Sequence, residues 1–241
     1  EATQILELNS ATLLKALAEY GGPAPLAQAA EAAGELARCG GRFLHPEKIE
    51  ELLRSARTTV GVRQTPATLT TVRRLATEAW RARQLVAEAE RGLKKLAEQD
   101  APTWRMAAAV GVSTACVLRA AVGDPRDYPC GAAYRKAFGL NLKERSSGQH
   151  QGKLKITKRG SSLARRWLFF VALRVVQKGP VRTWFEAKKK KDQGKGLKAA
   201  VAVMRKLALA LHAVGARGEV FDPARLFPRG PWSQAAPHDP L

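Results

Sequence analysis

Residues 66–99 read PATLTTVRRLATEAWRARQLVAEAERGLKKLAEQ, and this stretch decides the fold class. Thr65 before it suits an N-cap, and Pro66 suits the first helical position, where its missing N–H costs nothing. Leu69, Val72, Ala76, Ala79, Val86, Leu93 and Ala97 recur at helical spacing, with Leu75, Leu85, Ala89 and Leu96 beside them. A helix of this length is long for a globular core. It predicts an antiparallel hairpin, a dimerising coiled coil or an intramolecular packing helix. Arg83 and Glu90 fall on the apolar seam and weaken it.

Towards the N-terminus the pattern stays helical. Ile5, Leu8, Leu13, Leu17 and Tyr20 keep helical spacing until Gly21-Gly22-Pro23. A second run covers Pro25 to Arg38, and a third begins after His45-Pro46 and ends at Val60-Gly61-Val62. Towards the C-terminus, Asp100-Ala101-Pro102 marks a boundary. Helical signals follow at 106–109, 114–122, 132–138, 163–176, 181–190 and 196–214. A polar loop at 142–162 separates them, with a possible short strand at 153–157, and the chain from Arg217 reads as irregular. The expected fold is all-α. Its parts are a helical connector with a long coiled-coil-like helix (1–100), a mainly helical domain with a helix-hairpin-helix-like turn (101–228), and an irregular tail (229–241).

Charge divides the chain in the same place. The 241 residues carry a net charge of +20. Residues 1–100 hold 14 basic and 13 acidic side chains, and residues 101–241 hold 27 and 8. A polycationic half points to a polyanionic partner. The 45% hydrophobic content excludes a wholly disordered chain. The longest apolar stretch, Trp167 to Leu173, is too short to span a bilayer. Cys39, Cys116 and Cys130 show no metal-binding spacing and read as reduced thiols, so the expected setting is cytoplasmic. A chain that starts on Glu1 reads as a processed product or a piece of something longer.

Three features bear on chemistry. Ala109-Val110-Gly111-Val112-Ser113-Thr114-Ala115 has the form of a turn between two helices. There Gly111, Ser113 and Thr114 would offer backbone N–H groups to a phosphate. Lys153, Lys155, Lys158, Arg159, Arg165 and Arg166 form a basic cluster, and no Asp or Glu occurs from Gln149 to Val181. Solvated faces usually mix signs, so this cluster reads as phosphate-contacting. Lys188-Lys189-Lys190-Lys191, beside Gly194 and Gly196, reads equally as a flexible lysine patch. Ser146-Ser147-Gly148 opens the basic loop, where a hydroxyl can attack phosphorus if cations neutralise the developing charge. His150 is placed to shuttle a proton, though an exposed loop His is the simpler reading. Trp104, Trp167 and Trp184 are candidates for stacking on bases, Trp167 more for the core.

From about Ala101 to Phe227 the chain resembles the C-terminal transposase domain of the insertion-sequence one-ten family, whose members are DEDD transposases that act as RNA-guided recombinases. The resemblance rests on an ordered set: Gly111-Val112-Ser113-Thr114-Ala115, Gly123-Asp124, Ala137-Phe138-Gly139-Leu140 and Ser146-Ser147-Gly148. It continues through Ile156-Thr157-Lys158-Arg159-Gly160, Leu163-Ala164-Arg165-Arg166-Trp167-Leu168 and the helix from Lys195-Gly196 to Leu207. Ala108 and Ala109 replace the family's Pro and Gly, and Ser161 replaces its common Asn.

The resemblance implies that Ser147 attacks DNA, with Ser146 as its neighbouring alternative. It implies DNA and a structured guide RNA as partners. It also implies a RuvC-like N-terminal domain whose four acidic residues bind Mg²⁺. Residues 1–100 resemble the family's connector, and no strand bearing a catalytic Asp is found in them. The expected function is therefore a transposase or recombinase fragment that is incomplete without that domain, with no cofactor in this chain and pairing of two copies through residues 66–99. The rival readings are a non-catalytic helical DNA- or RNA-binding module and a dimerising scaffold.

Overall fold

The computed structural model describes residues 5–144 and 154–228. Their regular secondary structure is helical apart from one two-stranded ladder. The chain forms two compact units, residues 1–89 and 90–241. The tail expected at 229–241 lies outside the described residues.

In the first unit, α1 (Ala11–Tyr20) starts where Ser10 Oγ accepts from Leu13 N at 3.2 Å. It is followed by α2 (Pro23–Gln28), α3 (Ala32–Gly40), a 3-10 turn (Gly41–Phe43) and α4 (Pro46–Arg57). Ala16, Leu26, Leu36, Ile49 and Leu52 form the core. The sequence predicted one helix over 25–38, but Ala29 is extended and the helix breaks. The break lets both Leu26 and Leu36 reach the same core, so packing overrides the helical preference of an Ala-rich run.

The helix α5 (Pro66–Gln99) is 34 residues long and unbroken, about 51 Å at the α-helical rise, so it does not fold back as a hairpin. Thr65 Oγ1 caps it, accepting from Thr68 N at 3.2 Å. One face packs on α1: Arg73 donates to the Tyr20 carbonyl at 3.3 Å, and Lys15 Nζ lies 4.9 Å from the Trp80 ring centre. A different face stays exposed. Leu75, Val86 and Leu96 are 54%, 59% and 62% exposed. Together with Ala79, Ala82, Ala89 and Leu93 they repeat every four and three residues, which is coiled-coil spacing.

The second unit continues with α6 (Ala101–Val110), α7 (Val112–Val122), a 3-10 turn (Pro125–Asp127), α8 (Gly131–Ala137), β1 (Leu142–Lys143) and β2 (Lys155–Ile156). It closes with α9 (Ser162–Val175), α10 (Gly179–Lys191), α11 (Gly196–Arg217) and α12 (Pro223–Leu226). The central helix is α11, packed by α6, α8, α9 and α10. It buries Val203, Met204, Leu207, Ala208 and Leu211. By length and composition alone α11 would pass for a membrane span, but it is the core of this unit.

Three expectations change here. The region after Arg217 is not irregular throughout: Asp222 Oδ1 accepts from Ala224 N at 2.8 Å and starts α12 on Pro223. This turns Phe227 into the core, edge-on to Trp184 with ring centres 5.3 Å apart. Trp184 is therefore a packing residue and not free to stack on bases. The Lys188–Lys191 run is the last turn of α10, where positive charge suits the helix dipole. Lys188 is buried and 3.6 Å from Asp192, which also holds Lys198 at 3.1 Å.

A carboxylate network fastens the start of the second unit. Asp124 is buried and accepts from Arg126 N at 2.8 Å. Arg119 bridges it to Asp100, at 2.9 and 3.0 Å. Hydrogen bonding from Arg126 is the largest cause and lowers the Asp124 pKa to about 2, against the opposing effect of burial. Burial alone would raise the Asp100 pKa, but bonds from Thr103 and Arg119 outweigh it and hold it low. A depressed carboxylate stabilises the fold above its unfolded pKa and loses that contribution as pH falls through the folded value. Asp124→Asn is expected to cost about 2 kcal/mol at neutral pH and to flatten the loss of stability between about pH 4 and pH 2. Urea melts at several pH values read both effects, and an unchanged acid limb would remove the assignment.

Candidate nucleic-acid interface

The segments 137–140 and 157–161 meet backbone to backbone. Lys158 N donates to Gly139 O at 3.0 Å, Thr157 N to Asn141 O at 2.7 Å and Ser161 N to Ala137 O at 2.9 Å. Glycine is required on both sides. Gly139 has φ +69, and a Cβ there would lie 2.8 Å from the Lys158 carbonyl carbon. Gly160 has φ +147, and a Cβ would lie 2.3 Å from Ala137 O. Arg165 Nη1 donates to Phe138 O at 2.9 Å and clamps the same corner.

From this corner rises the ladder β1–β2, antiparallel, with Leu142 opposite Ile156 and Lys143 opposite Lys155. The sequence placed β1 inside a loop. A two-residue strand has no periodicity of its own and exists only through its partner. The ladder sets Glu144 and Leu154 close together as the ends of the segment between them. That segment carries Ser146, Ser147, His150 and Lys153, which lie outside the described residues.

Lys155, Lys158, Arg159 and Arg166 are exposed, whereas Arg165 is half-buried. Lys158 has φ +55, which the corner imposes. Among the described residues of this unit the ion pairs run to Glu98, Asp100, Asp124, Glu186, Asp192 and Glu219, and none takes up these four cations. Lys143 was missed by sequence reading, because only strand pairing sets it against Lys155. Like charges directly opposite on a ladder repel unless an anion lies against them.

The stretch expected to form a helix-hairpin-helix-like turn is α6 and α7, packed together and joined by Gly111 alone. Gly111 is exposed with φ +86, Ser113 is half-buried and Thr114 is 4% exposed. The Thr114 side chain thus faces the core, leaving the Gly111 backbone and Ser113 at the surface. Arg174 near the end of α9 donates to Val110 O at 3.3 Å, which brings this turn beside α9. Of the other tryptophans, Trp104 is exposed and Trp167 is half-buried.

Residues 107–186 match the Transposase IS116/IS110/IS902 family. The matched stretch runs from within α6 to within α10 and contains the Gly111 turn, the 137–161 corner with its ladder, and α9. The match covers about a third of the chain and supports a transposase function, which implies DNA as a partner. No curated protein matches the chain.

Proposed function

We propose that this chain supplies the serine for DNA strand cleavage and rejoining during transposition of an insertion sequence, in the cytoplasm, and grips nucleic acid through the cations around β2 and the start of α9. The observation that carries the reading is the β1–β2 stem. It supports the reading because it sets Lys143 opposite Lys155 on the two strands that flank, in sequence, the segment carrying Ser147, with exposed Lys158, Arg159 and Arg166 following.

The chemistry is a transesterification. The Ser147 Oγ attacks phosphorus, and the phosphorus–oxygen bond to the departing sugar oxygen breaks. The serine proton leaves, and the departing oxygen takes one up. The phosphoserine ester keeps the bond energy, so the oxygen of a second strand reverses the step and rejoins DNA. Lys155, Lys158, Arg159 and Arg166 stabilise the charge on the phosphate, with Lys153 in the segment itself. Gly111, Ser113 and Thr114 contribute a backbone contact to the duplex, and Arg165 positions the corner.

The resemblance also implies Mg²⁺ on four acidic residues of a RuvC-like domain. Among the described residues no three His, Cys, Asp or Glu side chains gather into a cation site, so this chain's described residues do not fit such a set. The proposal includes a structured guide RNA that chooses the target. It also includes pairing of two copies through the exposed repeat of α5, which sedimentation at several concentrations reads.

Binding of a duplex oligonucleotide across salt tests the grip. Four phosphate contacts predict a roughly 100-fold loss of affinity between about 50 and 200 mM salt. Reversing Lys155, Lys158, Arg159 and Arg166 to Glu is expected to remove most of that slope. A flat response in the wild type would contradict the proposed binding surface.

A further inference from the structure

The surface of α9 carries apolar side chains where solvent would favour polar ones. Leu163, Phe170 and Leu173 are 49%, 51% and 40% exposed. With Arg166 they are spaced 163, 166, 170 and 173, which puts all four on one stripe of the helix. The opposite face, with Ala164, Leu168, Val171 and Ala172, is already committed to the core. Apart from the Phe169 ring, 6.4 Å from that of Phe170, the stripe is an apolar face left half-exposed among the described residues.

Its surroundings say what kind of partner covers it. At the N-terminal end lie Lys158, Arg159 and Arg166, all exposed. At the C-terminal end, Arg174 holds the carbonyl next to the Gly111 turn. From Ser162 to Arg174 the helix rises about 18 Å, room for about five nucleotides of a stacked strand at 3.4 Å each. No acid occurs between Gln149 and Val181. A protein partner on this face, including a second copy of this polycation, would bring net repulsion or need an acidic surface that this chain does not place there. A nucleic-acid strand fits both parts at once, because its phosphates meet the cations at the two ends and its bases meet the apolar stripe between them.

We infer that the α9 stripe is a stacking platform for unpaired bases, with the Phe170 ring as its centre and Arg166 as its phosphate or base partner. A phenyl ring accepts any base, so the platform recognises unpaired strand and not sequence. In a duplex the base faces are already stacked, and the stripe gains nothing from them. This deepens the proposed function and rests on its nucleic-acid grip: the cations hold backbone, while the stripe distinguishes opened from paired DNA or RNA.

The test uses the full chain with three probes of the same length: a single-stranded oligonucleotide, its blunt duplex, and a strand whose central nucleotides are abasic. Phe170→Ala is expected to weaken binding of the single strand about 5- to 100-fold. It should leave the duplex, the abasic strand and the salt slope unchanged, and Phe170→Trp should retain the single-strand affinity. Phe170 is exposed, so folding is expected to be intact, and circular dichroism checks it. Equal losses on all three probes, or no loss on any, would overturn the platform. A change in sedimentation with Phe170→Ala would show a second copy as the occupant and overturn it too. Wild-type chain that binds none of the probes would instead sink the underlying grip, which keeps the two failures apart.

Discussion

Ser147→Ala is expected to abolish the covalent link between this protein and DNA, while Ser146→Ala leaves it formed. The expected drop is more than about a thousand-fold, because no other group replaces an attacking oxygen once it is removed. The assay supplies the chain together with the RuvC-like domain of an intact homologue, Mg²⁺, guide RNA and a labelled DNA. The adduct is read on a denaturing gel. The distinction from a merely structural serine is direct. Binding of the same DNA should be unchanged in Ser147→Ala, since the proposed grip lies in the exposed Lys155, Lys158, Arg159 and Arg166. If Ser146→Ala removes the adduct and Ser147→Ala does not, the nucleophile is one residue earlier. If neither matters, the serine chemistry is wrong.

Gly160→Val has the next largest effect. Its Cβ would sit 2.3 Å from Ala137 O and 2.5 Å from Gly139 N, both backbone atoms that cannot step aside. Its φ of +147 is also closed to a β-branched residue. The corner must open, breaking the Ser161 N to Ala137 O bond and the support of the β1–β2 stem. A cost of about 4 kcal/mol follows, and a fall in thermal midpoint of roughly 10 °C for a unit of this size. Gly194 is the control. It also has positive φ, but nothing lies within 4 Å of an added Cβ. Gly194→Asn should cost less than about 1 kcal/mol. Equal effects at the two sites would show that conformation alone, and not the close approach, sets the need for glycine at 160.

The comparison of Gly160 with Gly194 also shows where sequence reading stops. Both are glycines in basic surroundings, and only the three-dimensional approach of residues 137–140 separates them. The helices were legible because apolar residues at 3.6-residue spacing need no distant partner to be recognised. Leu69 to Ala97 and the helix from Gly196 are the clearest cases. Elements that exist only through a contact were not legible. β1 is two residues long and stands on β2, and Phe227 is carried into the core by a four-residue helix. The interface divides the same way. The basic residues were visible as a run without acids, but their tasks were not. Arg165 is spent on the Phe138 carbonyl, the side chain of Thr114 is turned inward, and Lys143 joins Lys155 only by strand register. Order in the sequence identified the blocks around Gly139 and Gly160. Their hydrogen bonding to one another gives a physical reason for both glycines, a single corner that holds the stem of the serine segment.

The most direct measurement is to quench the reconstituted reaction, digest the protein and locate the nucleotide-bearing peptide by mass spectrometry. A phosphodiester-linked nucleotide on Ser147 is the expected result. A nucleotide on any other residue, or DNA exchanged with no protein adduct, would contradict it.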